Sequence, residues 1–165
     1  MTQPPVADLC DAYGSDARVL PGTWQRFTAI ETFSGRAETI RLHGPDAALK
    51  DLLSTPGQGR VAVVDVAVEA PVAVFGEGMA HLAEQNGWAG IVICGHVRDV
   101  ALIRDRRVGI FARGATPRIQ TDGQQGEEKV EITCGAAVIR RGDWVVADLD
   151  GVVALDPALL KKAAA

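Results

Sequence analysis

The sequence predicts a single α/β domain over residues 1–165 with a mixed central sheet, and three patterns lead to that class. Residues 61–66, VAVVDV, form a short apolar run rich in β-branched side chains, the composition of a strand buried on both faces. Residues 89–94, AGIVIC, repeat that character. Between the two runs, Met79, Leu82 and Ala83 fall on one helical face, Glu77, His81, Glu84 and Gln85 fall elsewhere, and Asn86-Gly87 supplies a C-terminal stop. Strand, loop, helix and strand in that order make a right-handed parallel crossover the economical connection.

The other elements follow along the chain. Residues 30–33 and 39–42 are weaker strand candidates in the front section. After the second buried strand, residues 100–107 read as a short helix and 108–112, VGIFA, as a further apolar strand, with Thr116-Pro117-Arg118 turning away from it. Residues 119–128, IQTDGQQGEE, are polar and glycine-containing and read as an exposed loop. Beyond them β structure is expected: 129–134 alternates, Arg141-Gly142-Asp143 is a turn, and 144–147 connects through Asp150-Gly151 to 152–155 as a hairpin. A final helix begins near Pro157.

With 47% hydrophobic and 23% charged residues, a chain of 165 residues can bury a substantial core. A net charge of -4 without a basic block leaves no electrostatic footprint for a phosphate backbone, so direct nucleic-acid binding is not expected. The opening residues Met1-Thr2-Gln3-Pro4-Pro5 lack signal-peptide character, and no apolar run approaches the ~20 residues needed to cross a bilayer. A cytoplasmic protein without a membrane partner is expected. Cys10, Cys94 and Cys134 form no CxxC and no His/Cys cluster, so reduced, mostly buried thiols are expected.

A parallel crossover brings the loop entering its helix and the loop leaving its second strand to the carboxyl edge of the sheet, where ligands bind in such units. Phe75-Gly76-Glu77-Gly78-Met79 and Gly95-His96-Val97-Arg98-Asp99 should therefore meet. Free N–H groups at a helix start favour an anion, and glycine permits its close approach. Arg98 offers a planar, permanently charged fork for a carboxylate or enolate, and Asp99 the hard oxygen preferred by magnesium or manganese. Plainer readings stand beside these: Glu77 as a complement to the positive helix end, and Arg98-Asp99 as a solvated loop pair. His96, without an identified partner, reads as structural or exposed, Asp65 as a strand-end carboxylate or one hydrogen-bonded to a nearby turn, and Trp24, Trp88 and Trp144 as packing residues. No GxGxxG, Walker loop or GxSxG is present.

Phe75-Gly76-Glu77, residues 86–92 (NGWAGIV), Gly95-His96-Val97-Arg98-Asp99 and residues 142–152 (GDWVVADLDGV) together resemble the family shared by the regulator of ribonuclease activity A and the class II 4-hydroxy-4-methyl-2-oxoglutarate aldolases, over nearly the whole chain. The resemblance implies a swivelling β/β/α-type domain assembled as a ring-shaped homotrimer with the active cleft between subunits. It implies that Gly76, Glu77, Gly78 and Met79 line the substrate site, Arg98 binds substrate, and Asp99 holds a divalent cation, Mg2+ or Mn2+. Glu77 and Arg98 would be the catalytic pair, Glu77 positioning or activating water. The implied activity is metal-dependent cleavage of 4-hydroxy-4-methyl-2-oxoglutarate, a small 2-oxo acid, to pyruvate, with oxaloacetate decarboxylation as a side activity. The alternative is a non-catalytic regulator that binds ribonuclease E and inhibits RNA turnover. Two stretches depart from the family pattern: Val66-Ala67-Val68 replaces a more glycine-rich run, and Gly78-Met79 a commoner Leu-Leu pair. The chain also lacks the C-terminal extension that carries a carboxylate into a neighbour's site in some aldolases, so efficient aldol cleavage rests on less of the family pattern than decarboxylation does. A menaquinone-pathway methyltransferase role, a label some relatives have carried, finds no glycine-rich loop here for S-adenosylmethionine.

Overall fold

The computed structural model describes residues 3–163, with side chains described through Leu160. In chain order its elements are α1 (Val6–Tyr13), β1 (Arg18–Val19), β2 (Gln25–Arg26), β3 (Phe33–His43), α2 (Ala47–Leu53), β4 (Val61–Val66), β5 (Ala73–Phe75), α3 (Glu77–Gln85) and β6 (Gly90–Val97). Then come α4 (Val100–Ile103), β7 (Gly109–Ala115), β8 (Gln124–Glu128), β9 (Ile132–Cys134), β10 (Ala137–Ile139), β11 (Trp144–Asp148), β12 (Gly151–Leu155) and α5 (Pro157–Ala163). Among the described residues no helix is long and apolar enough to cross a membrane.

β3, β4, β6 and β7 lie side by side and parallel, and β11 and β12 continue the sheet antiparallel from the first part of β3. This is the mixed sheet expected. Its central strands are apolar throughout because both faces are covered. Ala62, Val64, Ile91, Ile93 and Ile110 join a core with α2 and α3, whereas Val61, Val63, Val92 and Phe111 join a second core with β9 to β12. Each such Val or Ile contributes roughly 1.5–3 kcal/mol relative to exposure. A third, smaller cluster seats Val6 and Leu9 of α1 on Val146, Val153 and Leu155.

Close approach explains one glycine pair. Gly90 and Gly109 are partners across β6 and β7, and the Phe33 ring lies over both. An added Cβ would come within 2.2 Å of the ring at Gly90 and 2.1 Å at Gly109. The ring also stands edge-on to Phe111, with centroids 5.3 Å apart.

Several expectations change in extent. The candidate over 39–42 belongs to a longer strand, β3, whose first part pairs with β11 and whose second part pairs with β4, whereas of the candidate over 30–33 only Phe33 lies in a strand. Residues 119–128 are not wholly loop, because Gln124–Glu128 pairs antiparallel with β3 as β8. Its side chains stay largely exposed, so the polar composition that suggested a loop belongs to a solvated edge strand. The helix expected over 100–107 spans only Val100–Ile103, and α1 and β5 were not anticipated.

The thiols are also corrected. Cys94 of β6 and Cys134 of β9 are joined as a disulfide, Cα atoms 6.1 Å apart, and Cys10 alone is free. β9 folds back against the sheet face that carries Val92, bringing together residues 40 apart in sequence, a separation with no spacing signature.

Candidate active site

The crossover sets the start of α3 beside the end of β6. The Arg98 N–H donates to the Phe75 carbonyl at 2.9 Å, holding the two segments in register. Asp99 then turns the chain with φ 60° and ψ 36°, the left-handed region that a short polar side chain tolerates better than other non-glycine residues. Its carbonyl accepts from the N–H groups of Leu102 and Ile103 at 2.8 and 3.0 Å and so opens α4. Its carboxylate reaches back, Oδ2 accepting from the Glu77 N–H at 3.1 Å. That N–H is one of the unpaired donors of the first turn of α3, so one aspartate ties helix start to strand end. Gly76 makes the contact possible: a Cβ there would sit 2.6 Å from Asp99 Oδ2.

A cavity of about 330 Å³ opens at this junction, and Gly76, Glu77, Gly78, Met79, Arg98 and Asp99 all line it. The six residues that the resemblance assigns to the site are therefore brought to one place. Arg98 and Asp99 also form a wall of a second cavity of about 350 Å³, completed by Val100, Ala115, Thr116 and Pro117. Among the described residues Arg98 has no carboxylate partner. An added Cβ at Gly78 meets nothing within 4 Å, so that position faces open space beside the helix start.

The Glu77 carboxylate is held by a residue that nothing in the sequence singles out. Arg106 Nη2 donates to Glu77 Oε1, while Arg106 Nη1 donates to Glu84 Oε2 at 3.2 Å and contacts His81 Nδ1 at 3.1 Å. Glu84 Oε1 accepts the Arg107 N–H at 3.0 Å, and that bond, with help from Arg106 and against the cost of burial, holds the Glu84 carboxyl below the usual range. Glu84 in turn raises the Arg106 guanidinium above its ordinary value, with Glu77 adding to the effect. Asp46, which precedes α2, Lys50 within it and Ile119 line the first cavity too. None carries a motif, and only the tertiary packing brings them there.

The plainer readings hold for the side residues, with one amendment. His96 lines a separate cavity with Arg113 and Cys94. Asp65 is ion-paired to Arg41 Nε at 3.0 Å, not bonded to a turn, because β3 runs beside β4 and places the two across the strand pair. Trp88 is buried and donates to the Thr55 carbonyl.

Comparison with known proteins identifies the family to which this fold belongs. The family model RraA-like, described as Aldolase/RraA, matches residues 6–154. A protein from Paraburkholderia phytofirmans, provisionally named 4-hydroxy-4-methyl-2-oxoglutarate aldolase, is 40% identical over 93% of this chain and 96% of its own length. One of the same provisional name from Alkalilimnicola ehrlichii is 35% identical over 95% and 98%. Among solved structures, the RNA-processing inhibitor RraA from Thermus thermophilis superposes with a TM-score of 0.87 at 30% identity, covering 94% of each chain. A Geobacillus kaustophilus protein named S-adenosylmethionine: 2-dimethylmenaquinone methyltransferase superposes at 0.89 with 31% identity, covering 96% of this chain and 98% of its own. With the match running through strand, helix and both halves of the cavity wall, this chain belongs to the RraA-like family.

Proposed function

We propose that this chain is a divalent-metal-dependent lyase that cleaves 4-hydroxy-4-methyl-2-oxoglutarate to pyruvate and decarboxylates oxaloacetate as a side activity. The carrying observation is an Arg98 guanidinium without a carboxylate partner beside an Asp99 carboxylate, both facing a helix start into one cavity. The aldolase names of two relatives at 35–40% identity support the same reading.

The donor set suits a lightly held hard cation. Among the described residues no group of three or more His, Cys, Asp or Glu could enclose a metal. Mg2+, however, keeps several waters and takes one or two protein carboxylates plus substrate oxygens. Asp99 would hold it, since Oδ2 takes the Glu77 N–H and among the described residues Oδ1 has no hydrogen-bond partner. When bound, the cation supplies Lewis-acid polarisation of the substrate.

Arg98 binds the carboxylate next to the substrate carbonyl and stabilises the charge that develops on the carbonyl oxygen as the C3–C4 bond breaks. The N–H groups that begin α3, at Gly78 and Met79, receive the distal carboxylate. Glu77 handles protons through water, taking one from the 4-hydroxyl as C4 becomes a carbonyl and returning one to C3. Its Oε1 is on Arg106, so this work falls to Oε2.

Val100 lines the second cavity and Ile119 the first, and Leu102 lies with Val100 on α4. Val100 and Leu102 on α4 are 41% and 64% exposed, and Ile119 39%. That exposed apolar set supports a homotrimer with a shared cleft, whose assembly would bury it.

The second reading is a regulator that binds ribonuclease E, supported by the likeness to the RNA-processing inhibitor RraA at TM-score 0.87. One comparison separates them: purified protein is assayed with oxaloacetate and with 4-hydroxy-4-methyl-2-oxoglutarate, with and without EDTA, beside a pull-down against ribonuclease E. Turnover lost in EDTA and restored by Mg2+ or Mn2+ is expected. Full activity after rigorous metal removal sinks the metal-dependent mechanism, and no turnover with firm ribonuclease capture puts the regulator first.

A further inference from the structure

Away from the lyase site, a cavity of about 200 Å³ is lined by Cys94, His96, Glu69 and Arg113, together with the apolar residues of the segment between β4 and β5. Cys94 is partly exposed at its wall, whereas its disulfide partner Cys134 is 1% exposed behind it. Arg113 is held in place by donating to the carbonyls of Pro21 and Thr23 and by stacking over Trp24, 3.8 Å from the ring centroid. Its Nη2 lies 3.1 Å from Cys134 Sγ. Among the described residues no carboxylate pairs with Arg113, and burial pulls its guanidinium below the ordinary arginine range. A desolvated cation without a counter-ion is costly, and a thiolate at Cys134 would supply the missing charge.

We propose that Cys94–Cys134 is a redox-active disulfide that exchanges with low-molecular-weight thiols at Cys94, with Cys134 as the leaving thiolate and Arg113 as its counter-ion. A small thiolate enters the cavity and attacks Cys94 Sγ. A new sulfur–sulfur bond forms there while the Cys94–Cys134 bond breaks, and its electron pair stays on Cys134 beside Arg113. A second small thiolate then attacks the incoming sulfur, departs as the small-molecule disulfide, and leaves Cys94 as a thiolate. Two electrons pass from two small thiols to the cysteine pair, and a small-molecule disulfide reverses both steps. The direction follows from the structure: exchange is fastest where the attacked sulfur is accessible and the departing thiolate is stabilised, and Cys94 meets the first condition while Arg113 beside Cys134 Sγ meets the second.

Glutathione is the probe. Unreduced protein, unfolded and alkylated, should yield a single free thiol, at Cys10. With reduced glutathione and acid quenching, peptide mapping should find the mixed disulfide on Cys94. Cys134→Ser should accumulate that adduct with oxidised glutathione, and folded Cys94→Ser should resist labelling at Cys134. Arg113→Gln should slow reduction about tenfold, through loss of leaving-group stabilisation, and Arg113→Lys should recover most of the rate. Loosening of the fold would instead speed attack, so a damaged variant shifts in the opposite sense. Three free thiols that no oxidised glutathione can pair, an adduct on Cys134 in place of Cys94, or unslowed reduction of Arg113→Gln would each overturn the proposal.

Discussion

Asp99 must satisfy a left-handed backbone and also present a carboxylate, and the two demands can be separated by substitution. Asparagine tolerates the same backbone, and its side-chain oxygen still accepts the Glu77 N–H. Asp99→Asn should therefore unfold in urea within about 0.5 kcal/mol of the parent while losing most Mn2+ affinity by titration calorimetry. Asp99→Ala should lose the metal equally and a further ~1 kcal/mol or more of stability, from backbone strain and an uncapped N–H. Gly76 is the second test at this scale. The methyl group of Gly76→Ala would lie 2.6 Å from Asp99 Oδ2 and displace the carboxylate. Because a misplacement of about 1 Å can cost on the order of 10² in rate, kcat/KM should fall by about that factor while the melting curve moves little.

At the scale of elements, α3 is clamped to the segment after α4 through Arg106, Arg107, Glu77 and Glu84. Glu84 has its folded-state pKa depressed, so its contribution is fully present above the unfolded value and is lost as pH falls through the folded one. The Arg107 amide resonance, followed by NMR, should thus shift only at pH below the ordinary carboxylate range, and Glu84→Gln should abolish that titration. The sequence carried the elements whose periodicity is set by burial: residues 61–66, the helix from Glu77, and the hairpin of β11 and β12 emerged nearly as expected. β8 and β5 did not, since a solvated edge strand and a three-residue strand show no two-faced apolar run. The meeting of Gly76–Met79 with Arg98-Asp99 at one candidate site was legible, because local chemistry and topology agree there. Arg106 was not, because its link to Glu77 depends on where the segment after α4 lands.

For the whole molecule, the exposed apolar set of Val100, Leu102 and Ile119 bears on assembly. Light scattering should give three times the 17.4 kDa chain mass, and Leu102→Glu should shift the protein toward monomer with loss of lyase activity. A monomer that retains full turnover would refute the shared cleft. Nothing in composition or periodicity pointed to these three residues, because an exposed leucine on a four-residue helix looks like any surface position until Val100 of the same helix is seen to line a cavity.

The Phe33 ring resting on Gly90 and Gly109 carries a consequence for how this chain can diverge. Three positions on three strands share one volume, so they form an epistatic set in which the order of substitution matters. Gly90→Ala on the parent background should cost about 1–3 kcal/mol through overpacking. The same change introduced after Phe33→Leu should cost far less, and a thermodynamic cycle over the two should show coupling of about 1 kcal/mol or more. A lineage can thus gain a side chain at Gly90 or Gly109 readily only after the aromatic ring at position 33 has been lost.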